Sequence, residues 1–289
     1  MAYLPLNDAT IYYEVEGDGK PIVFIHGMGL SHVNWRGQVD YLREHGFKTI
    51  TIDIRGHGRS SETIGATKKN NIVDQITNDI YQLLCQIDIS NAVFVGYSTG
   101  TILVQNMALT YPGMVKGIFL AGAFPKVHNL YLYGKIISSL SLIYMKVRKP
   151  LEKSVAKSNG KDEEQIKLFQ QEAKKVKRKE AIRLLRASLE FDCLERLKEI
   201  EVPILVTYGG NETHMMTYRR DYLQYAPTAE VCLLPNVNHA ALTKCKDKFN
   251  EVLLDYVQSI YQENRNAGIY LRNPRMINAT PSPINNNFE

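Results

Sequence analysis

Residues 92–103, AVFVGYSTGTIL, place one serine and two glycines between two apolar runs. The first run is short and rich in valine, which predicts a buried strand, and the second predicts a buried helix. A turn this tight between a strand and a helix leaves no room for side chains at positions 96 and 100, so both are glycine. Such a turn would lift the Ser98 hydroxyl clear of the sheet. Ser98 is therefore a candidate nucleophile, and the alternative is an ordinary loop serine.

Short apolar runs alternate with amphipathic segments on both sides of this stretch. Helices are predicted through about 71–87, 217–225 and 244–262, and strands at 10–16, 21–25, 48–54, 91–95, 115–121, 203–210 and 229–235. Buried strands separated by helices are typical of a parallel sheet covered on both faces. The sequence therefore predicts an α/β fold.

One internal segment departs from this alternation. Residues 126–198 have helical periodicity and many charges but no convincing strand, which indicates a helical insertion. We expect residues 1–125 and 199–262 to form the α/β core around it. The final segment, 263–289, is rich in asparagine and proline without periodicity, and we predict a mobile tail.

Charge is unevenly distributed along the 289 residues. The whole chain carries a formal net charge of +5. Residues 126–190 hold 16 Lys or Arg and 7 Asp or Glu, a net +9, so the rest of the chain is mildly acidic. The basic run KKVKRK at 174–179 has few interleaved aromatic residues, which argues against a nucleic-acid partner. It is either a solvated helix face or a contact for an anionic membrane or an acidic substrate.

The remaining composition is that of an ordinary globular enzyme. The four cysteines are scattered without metal-ligand spacing, which favours reduced core thiols, and no metal or organic cofactor is expected. The N-terminus lacks the pattern of a signal peptide. The longest apolar stretch, 130–145, is too short to span a membrane and contains a lysine. These features predict a soluble, cytoplasmic protein.

A serine nucleophile needs a base and an acid near it. His239 follows the last predicted strand, where a loop reaches the carboxyl edge of the sheet, and it is the candidate base. Glu212 is the only carboxylate in the loop after the preceding strand and is the candidate acid. The alternatives are that both are solvated loop residues, or that Asp192 or Asp221 supplies the acid.

An acyl-transfer site also needs donors for an oxyanion. The loop FIHGMG at 24–29 would return toward Ser98, so the backbone N–H groups of Met28 and Thr99 are the candidate donors. His26 in the same loop is expected to pack and form hydrogen bonds rather than react.

Several of these motifs together resemble a known superfamily. HGMG at 26–29 follows a strand, and DIRGHGRS, VGYSTG, PILVTYGGNE and NVNHA come after it in that order. Over about residues 10–262 the chain resembles the α/β-hydrolase fold superfamily, in particular its cap-bearing, esterase-like branch. The resemblance implies an eight-stranded sheet with a helical lid and a catalytic triad of Ser98, Glu212 and His239. Glutamate as the acid and Thr101 in place of a frequent second glycine depart from the usual pattern.

The expected activity is that of a serine hydrolase, which cleaves a carboxylic ester-type small molecule through an acyl-enzyme. A thioesterase or a carbon–carbon bond hydrolase would use the same triad, and a non-catalytic binding protein is a further alternative. The candidate substrate is a small-molecule ester or acyl compound, either apolar or anionic. The candidates that line its pocket are Tyr97, Leu132, Ile136 and Tyr144. The helical insertion could equally use its apolar residues for its own core. The substrate and the oligomeric state stay open.

Overall fold

A computed structural model describes residues 2–65, 71–262 and 277–278. The strands are β1 (Ala2–Pro5), β2 (Thr10–Glu16), β3 (Lys20–Ile25), β4 (Phe47–Ile52), β5 (Ala92–Tyr97), β6 (Val115–Ala121), β7 (Ile204–Gly209), β8 (Ala229–Leu234) and β9 (Ile277–Asn278). The helices are α1 (Arg36–Glu44), α2 (Ile72–Gln86), α3 (Gly100–Thr110), α4 (Leu130–Tyr144), α5 (Lys149–Asn159), α6 (Glu163–Lys175), α7 (Arg178–Glu190), α8 (Met216–Tyr225), α9 (Ala241–Lys244) and α10 (Lys246–Tyr261).

All strands join one sheet in the order β1-β2-β4-β3-β5-β6-β7-β8-β9. Strand β2 runs antiparallel to both neighbours, β1 and β4, and every other pairing is parallel. The predicted α/β fold with a mostly parallel sheet is confirmed. Strands β1–β8 agree with the eight-stranded sheet that the resemblance implied, and β9 adds two residues beside β8.

Apolar residues of the strands point to both faces of the sheet, and helices cover each face. Helices α2, α3 and α8 pack on one face, and α1 and α10 pack on the other. Because central strands such as β5 are buried along their whole length, each reads as a continuous apolar run. The carboxyl ends of β3, β5, β6, β7 and β8 therefore meet at one edge, above a rigid support.

Helices α4–α7 form the segment between β6 and β7. They enclose an apolar cluster of their own, which consists of Ile136, Leu140, Ile143, Val176, Ala181 and Leu185. A buried carboxylate attaches this segment to the core, since Glu180 Oε1 accepts from the Thr63 N–H at 3.1 Å and Oε2 accepts from Arg183 at 2.7 Å. The Lys177 N–H also donates to the Gly56 carbonyl at 2.7 Å. The segment is thus seated on the loop after β4.

Some sequence expectations differ from the structure. Strand β1 gave no recognisable pattern because it is a four-residue edge strand. Cys85 is exposed rather than part of the core, since its position on α2 faces away from the sheet. The predicted mobile tail lies outside the described residues, except that Ile277 and Asn278 pair with β8. Among the described residues, no helix combines the length and apolarity needed to cross a membrane.

Candidate active site

Ser98 stands at the junction of β5 and α3 with a φ of +53°. A left-handed conformation costs a serine free energy, about 1–3 kcal/mol, so the surrounding structure must impose it. Two hydrogen bonds hold the junction: the Ser98 N–H donates to the Ala121 carbonyl at 2.9 Å, and the Thr101 N–H donates to the Ser98 carbonyl at 2.9 Å. The turn therefore has the strained strand-to-helix geometry of a nucleophile elbow.

The two flanking glycines are required for different contacts. A Cβ atom on Gly96 would lie 2.9 Å from the Gly100 carbonyl oxygen and from Thr101 Cα. A Cβ atom on Gly100 would lie 2.4 Å from the carbonyl oxygen of Ile25. The expected clash between side chains at 96 and 100 thus explains only part of the pattern. Gly100 is needed because α3 begins directly against the end of β3.

His239 and Glu212 meet beside this elbow. His239 lies in the loop after β8 and Glu212 in the turn after β7, and Nδ1 of the imidazole is 2.7 Å from Oε1 of the carboxylate. The distance is that of a hydrogen bond, although the ring N–H is not well aligned with the oxygen. Glu212 is buried, whereas the ring of His239 is partly exposed. A buried carboxylate in this position can fix the tautomer of the imidazole.

A second histidine approaches the same carboxylate oxygen. His214 Nε2 lies 3.4 Å from Glu212 Oε1. Burial lowers the pKa of His214, because the charged ring is poorly solvated there, and the attraction of Glu212 only partly opposes this effect. The other oxygen, Glu212 Oε2, is buried with no hydrogen-bond partner among the described residues.

Two further residues hold the ring of His239. The Tyr97 ring lies with its centroid 5.1 Å from that of the imidazole. Gly122, at the end of β6, has a φ of +64°, and a Cβ atom there would lie 2.5 Å from His239 Cε1. Sequence analysis did not identify Gly122, because its importance depends on a contact between β6 and a loop more than a hundred positions later.

The loop after β3 brings its backbone to the elbow, as the HGMG motif suggested. A Cβ atom on Gly27 would lie 3.1 Å from Ser98 Cβ, so this glycine permits the close approach. The Met28 N–H donates to Thr99 Oγ1 at 2.7 Å. The Met28 N–H, one of the two predicted oxyanion donors, is therefore already hydrogen-bonded to the side chain of Thr99, whose own N–H is the other predicted donor.

His26 has a supporting place in this loop. Its Nδ1 lies 2.8 Å from the Gly27 carbonyl, and its Nε2 accepts from the Ile54 N–H at 3.2 Å. Complete burial, together with repulsion from His57, lowers the pKa of His26 to about 3. The ring is thus a neutral hydrogen-bonding link between β3 and the loop after β4.

A cavity of about 430 Å³ opens above Ser98, a volume suited to a small molecule. Ser98, Glu212 and His239 line it, as do Met28 and Thr99. Three of the four residues predicted for the pocket also line it, namely Tyr97, Leu132 and Ile136. Tyr144 does not. The side chain of Tyr144 is on the outer face of α4, where the Arg186 guanidinium lies 5.6 Å from its ring centroid.

The pocket is also attached to the helical segment. The Tyr97 hydroxyl donates to Asn159 Oδ1 at 2.8 Å, and the Asn159 carbonyl accepts from the Thr243 hydroxyl. Asn159 is the last residue of α5, and nothing in its sequence surroundings indicated this role. The described residues contain no group of three or more His, Cys, Asp or Glu placed to hold a metal ion.

Residues 20–137 match a family model described as the α/β hydrolase fold. This match covers the elbow and the loop before it. It confirms the resemblance of the chain to the α/β-hydrolase fold superfamily. The sequence is 24% identical over 262 residues to an (E)-2-((N-methylformamido)methylene)succinate hydrolase of Acinetobacter baylyi, across 88% of this chain and 96% of the relative.

Solved structures of α/β hydrolases share the fold. One comes from a study of carboxylesterases of the ammonia-oxidizing thaumarchaeon Nitrososphaera gargenis, with a TM-score of 0.81, 20% identity and coverage of 91% of this chain and 100% of the other. Another is a bromoperoxidase of Bacillus anthracis, with a TM-score of 0.76, 25% identity and coverage of 86% and 96%. These similarities describe the α/β-hydrolase scaffold on which the site is built.

Proposed function

We propose that this α/β hydrolase is a serine hydrolase that cleaves a carboxylic ester-type small molecule through an acyl-enzyme. The observation that carries the proposal is the strained Ser98 elbow, which shares one cavity with the His239–Glu212 pair. A serine is activated when a positioned base takes its proton, and a carboxylate on the far side of the imidazole keeps that base in the correct tautomer.

In the first half-reaction, Ser98 Oγ attacks the substrate carbonyl while His239 Nε2 takes the hydroxyl proton. The carbonyl oxygen becomes an oxyanion, which the backbone N–H groups of Thr99 and Met28 stabilise. The Met28 N–H must then exchange its hydrogen bond with Thr99 Oγ1 for one with the oxyanion. When the tetrahedral intermediate collapses, His239 returns the proton to the leaving alcohol and the acyl group stays on Ser98.

The second half-reaction reverses these roles. A water molecule attacks the acyl carbonyl while His239 takes one of its protons. Collapse of the second tetrahedral intermediate breaks the bond to Ser98 Oγ, which recovers the proton from His239. The products are the carboxylic acid and the free enzyme, and Glu212 stabilises the imidazolium in both halves.

Helices α4–α7, within residues 126–198, are proposed as a cap over this reaction. Leu132 and Ile136 of α4 and Val155 of α5 line the cavity together with Ser98. These apolar side chains would receive the acyl part of the substrate and exclude water from it. Tyr144 is not part of this proposed pocket.

The relatives named hydrolases support the reaction class, and the structure related to carboxylesterases supports the ester as bond type. A thioesterase or a carbon–carbon bond hydrolase would need the same groups. A binding protein without activity is disfavoured because serine, histidine and glutamate are all present.

Hydrolysis of p-nitrophenyl esters from acetate to decanoate tests the proposal, with Ser98→Ala as the comparison. We expect wild-type turnover, its loss in Ser98→Ala, and labelling of wild type alone by a fluorophosphonate probe. Equal turnover or equal labelling of the two proteins would contradict a role for Ser98. An absence of both in wild type would contradict the serine hydrolase itself.

A further inference from the structure

Helix α4 is apolar on two adjacent faces, but only one of them is packed. The inner face carries Ile136, Leu140 and Ile143, which are buried in the cluster of the helical segment. The outer face consists of Leu130, Tyr133, Ile137 and Tyr144, spaced at helical intervals, and Met145 follows directly. Leu130 is 87% exposed and Met145 is 63% exposed. A contiguous patch of exposed apolar side chains commonly marks an interaction site, and this outer face lacks a partner among the described residues.

The charge around the outer face has one sign. Residues 126–149 contain five Lys or Arg and not one Asp or Glu. Lys126 pairs with Asp192, and Arg148 lies 3.5 Å from Glu152. Lys135 lines the cavity. Lys146 and Lys149 are exposed, and no ion pair joins them to a carboxylate of the described residues. The outer face thus offers apolar side chains beside uncompensated positive charge.

The more obvious basic run is less available. In the segment at 174–179, Lys175 pairs with the buried Glu172, and Arg178 donates to the Ile143 and Tyr144 carbonyls. Lys179 lies 3.4 Å from the carbonyl oxygens of Thr63 and Gly65. These side chains stabilise the helical segment and its seat on the core. Most basic side chains of the segment 174–179 are therefore occupied by contacts within the protein.

Two occupants of the outer face can be compared by charge. A second copy of this chain would bring the same lysines together, and their repulsion would oppose association. An anionic bilayer would instead attract the lysines, while leucine, methionine and tyrosine side chains enter the boundary between headgroups and acyl chains. Tyrosine suits this boundary because its ring is apolar and its hydroxyl is polar.

We propose that the outer face of α4, with Met145 and the lysines Lys146 and Lys149, docks the protein on an anionic bilayer surface. The apolar side chains enter the interface, and the ammonium groups contact lipid phosphates or carboxylates. The inner side of the same helix lines the cavity through Leu132 and Ile136, so the bilayer would lie one helix diameter, about 10 Å, from the site. The short distance between bilayer and site matters for substrate access only if the proposed function holds, whereas the docking itself does not depend on that function.

Sedimentation with vesicles tests the docking. The probes are vesicles of phosphatidylcholine alone and of phosphatidylcholine with phosphatidylglycerol, at low and high salt. We expect wild type to bind the anionic vesicles at least tenfold more tightly than the neutral ones, and high salt to weaken that binding. Undetectable binding, or equal binding to both vesicles, would overturn the proposal.

Three variants locate the contact. Leu130→Ser with Tyr133→Ser and Met145→Ser removes apolar side chains that do not line the cavity, and Lys146→Gln with Lys149→Gln removes charge. Each set should weaken binding to anionic vesicles about tenfold. The matched control, Lys174→Gln with Lys177→Gln, removes the same charge from the other basic run and should bind as wild type does. A greater effect of the control than of Lys146→Gln with Lys149→Gln would overturn the assignment to α4.

Two measurements keep the outcomes separate. Thermal unfolding by circular dichroism shows whether the triple variant is folded, and if it is not, the single Met145→Gln substitution replaces it, with a smaller loss of binding expected. Sedimentation velocity without lipid shows whether the same face joins two copies. A dimer that the apolar variant abolishes, without vesicle binding, would overturn the proposal in favour of self-association. Failure of ester hydrolysis in wild type would contradict the proposed function and leave the vesicle result intact.

Discussion

Nδ1 of His239 lies 2.7 Å from Oε1 of Glu212, in a pair that joins the loops after two neighbouring strands. The carboxylate is buried, and the imidazole is partly exposed to the cavity. The carboxylate therefore orients the imidazole from its buried side. His214 Nε2 also lies 3.4 Å from the same carboxylate oxygen. One carboxylate thus positions the proposed base and contacts a second ring.

Glu212→Gln tests this pair. The amide keeps the shape but cannot stabilise the imidazolium, and it can donate a hydrogen bond that favours the wrong tautomer. We expect kcat for the best p-nitrophenyl ester to fall by about 10²- to 10⁴-fold, with little change in KM. The matched control is Asp221→Asn, since Asp221 lies 2.7 Å from His128 Nε2 outside the cavity. Comparable losses in both variants would contradict a special role for Glu212.

Gly122→Ala tests the packing of the imidazole. The new methyl group would meet His239 Cε1 at 2.5 Å, so the ring must move away from its present position. We expect kcat to fall about 10- to 100-fold, because small displacements of a catalytic base are costly. Gly46→Ala is the control, since Gly46 has a φ of +79° but a Cβ atom there would meet nothing within 4 Å. It should reduce the melting temperature and leave kcat unchanged, whereas an unchanged kcat in Gly122→Ala would show that the ring tolerates displacement.

Thr99→Val tests the engaged oxyanion donor. The substitution preserves the shape of the side chain and removes the acceptor of the Met28 N–H. Because that hydrogen bond, worth about 1 kcal/mol, then need not be broken, we expect kcat to rise about three- to tenfold. Thr99→Ser keeps the hydroxyl and should behave as wild type. A fall in kcat for Thr99→Val alone would show instead that the hydroxyl donates to the oxyanion.

The buried neutral His26 predicts a loss of stability in mild acid. Burial lowers its pKa to about 3, whereas in the unfolded chain the pKa is about 6.5, so below pH 6.5 the unfolded state binds a proton that the folded state does not. The contribution of His26 to stability is therefore complete above pH 6.5 and decreases as the pH falls. The expected decrease is about 2 kcal/mol at pH 5.

Urea unfolding at pH 7.5 and pH 5 measures this effect. His26→Asn should show a smaller loss of unfolding free energy between the two pH values than wild type, whatever its stability at pH 7.5. His45→Asn is the control, since His45 is exposed, and it should keep the wild-type difference. An unchanged pH dependence in His26→Asn would assign the acid sensitivity to other groups.

The central strands and the elbow could be predicted because burial on both faces makes a strand such as β5 a continuous apolar run. The positions of Ser98, Glu212 and His239 followed from the rule that loops at the carboxyl edge of a parallel sheet converge. The orientation of α4 could not be predicted. Both of its faces are apolar, so the periodicity does not tell which one is buried, and Tyr144 was assigned to the pocket although it faces outward.

Other features depend on contacts between segments distant in sequence. The hydrogen bond from Met28 to Thr99 requires two loops to meet within 2.7 Å, and no local pattern encodes that distance. No local pattern encodes the contact between Gly122 and His239 either, since a glycine at this position could equally be an ordinary turn residue. A pattern in sequence reports propensity and burial, whereas these contacts arise only from packing.

The hydrogen bond between the Tyr97 hydroxyl and Asn159 has a consequence for engineering. Tyr97 immediately precedes the elbow serine, and Asn159 also accepts from Thr243, four positions after His239. A chimaera that received residues 126–198 from another hydrolase without an asparagine at this place would lose the link to Tyr97, which uses the side chain, whereas the link to Thr243 uses the backbone carbonyl. Domain exchange aimed at a new substrate range should therefore retain Asn159 and vary α4, whose outer face carries exposed side chains.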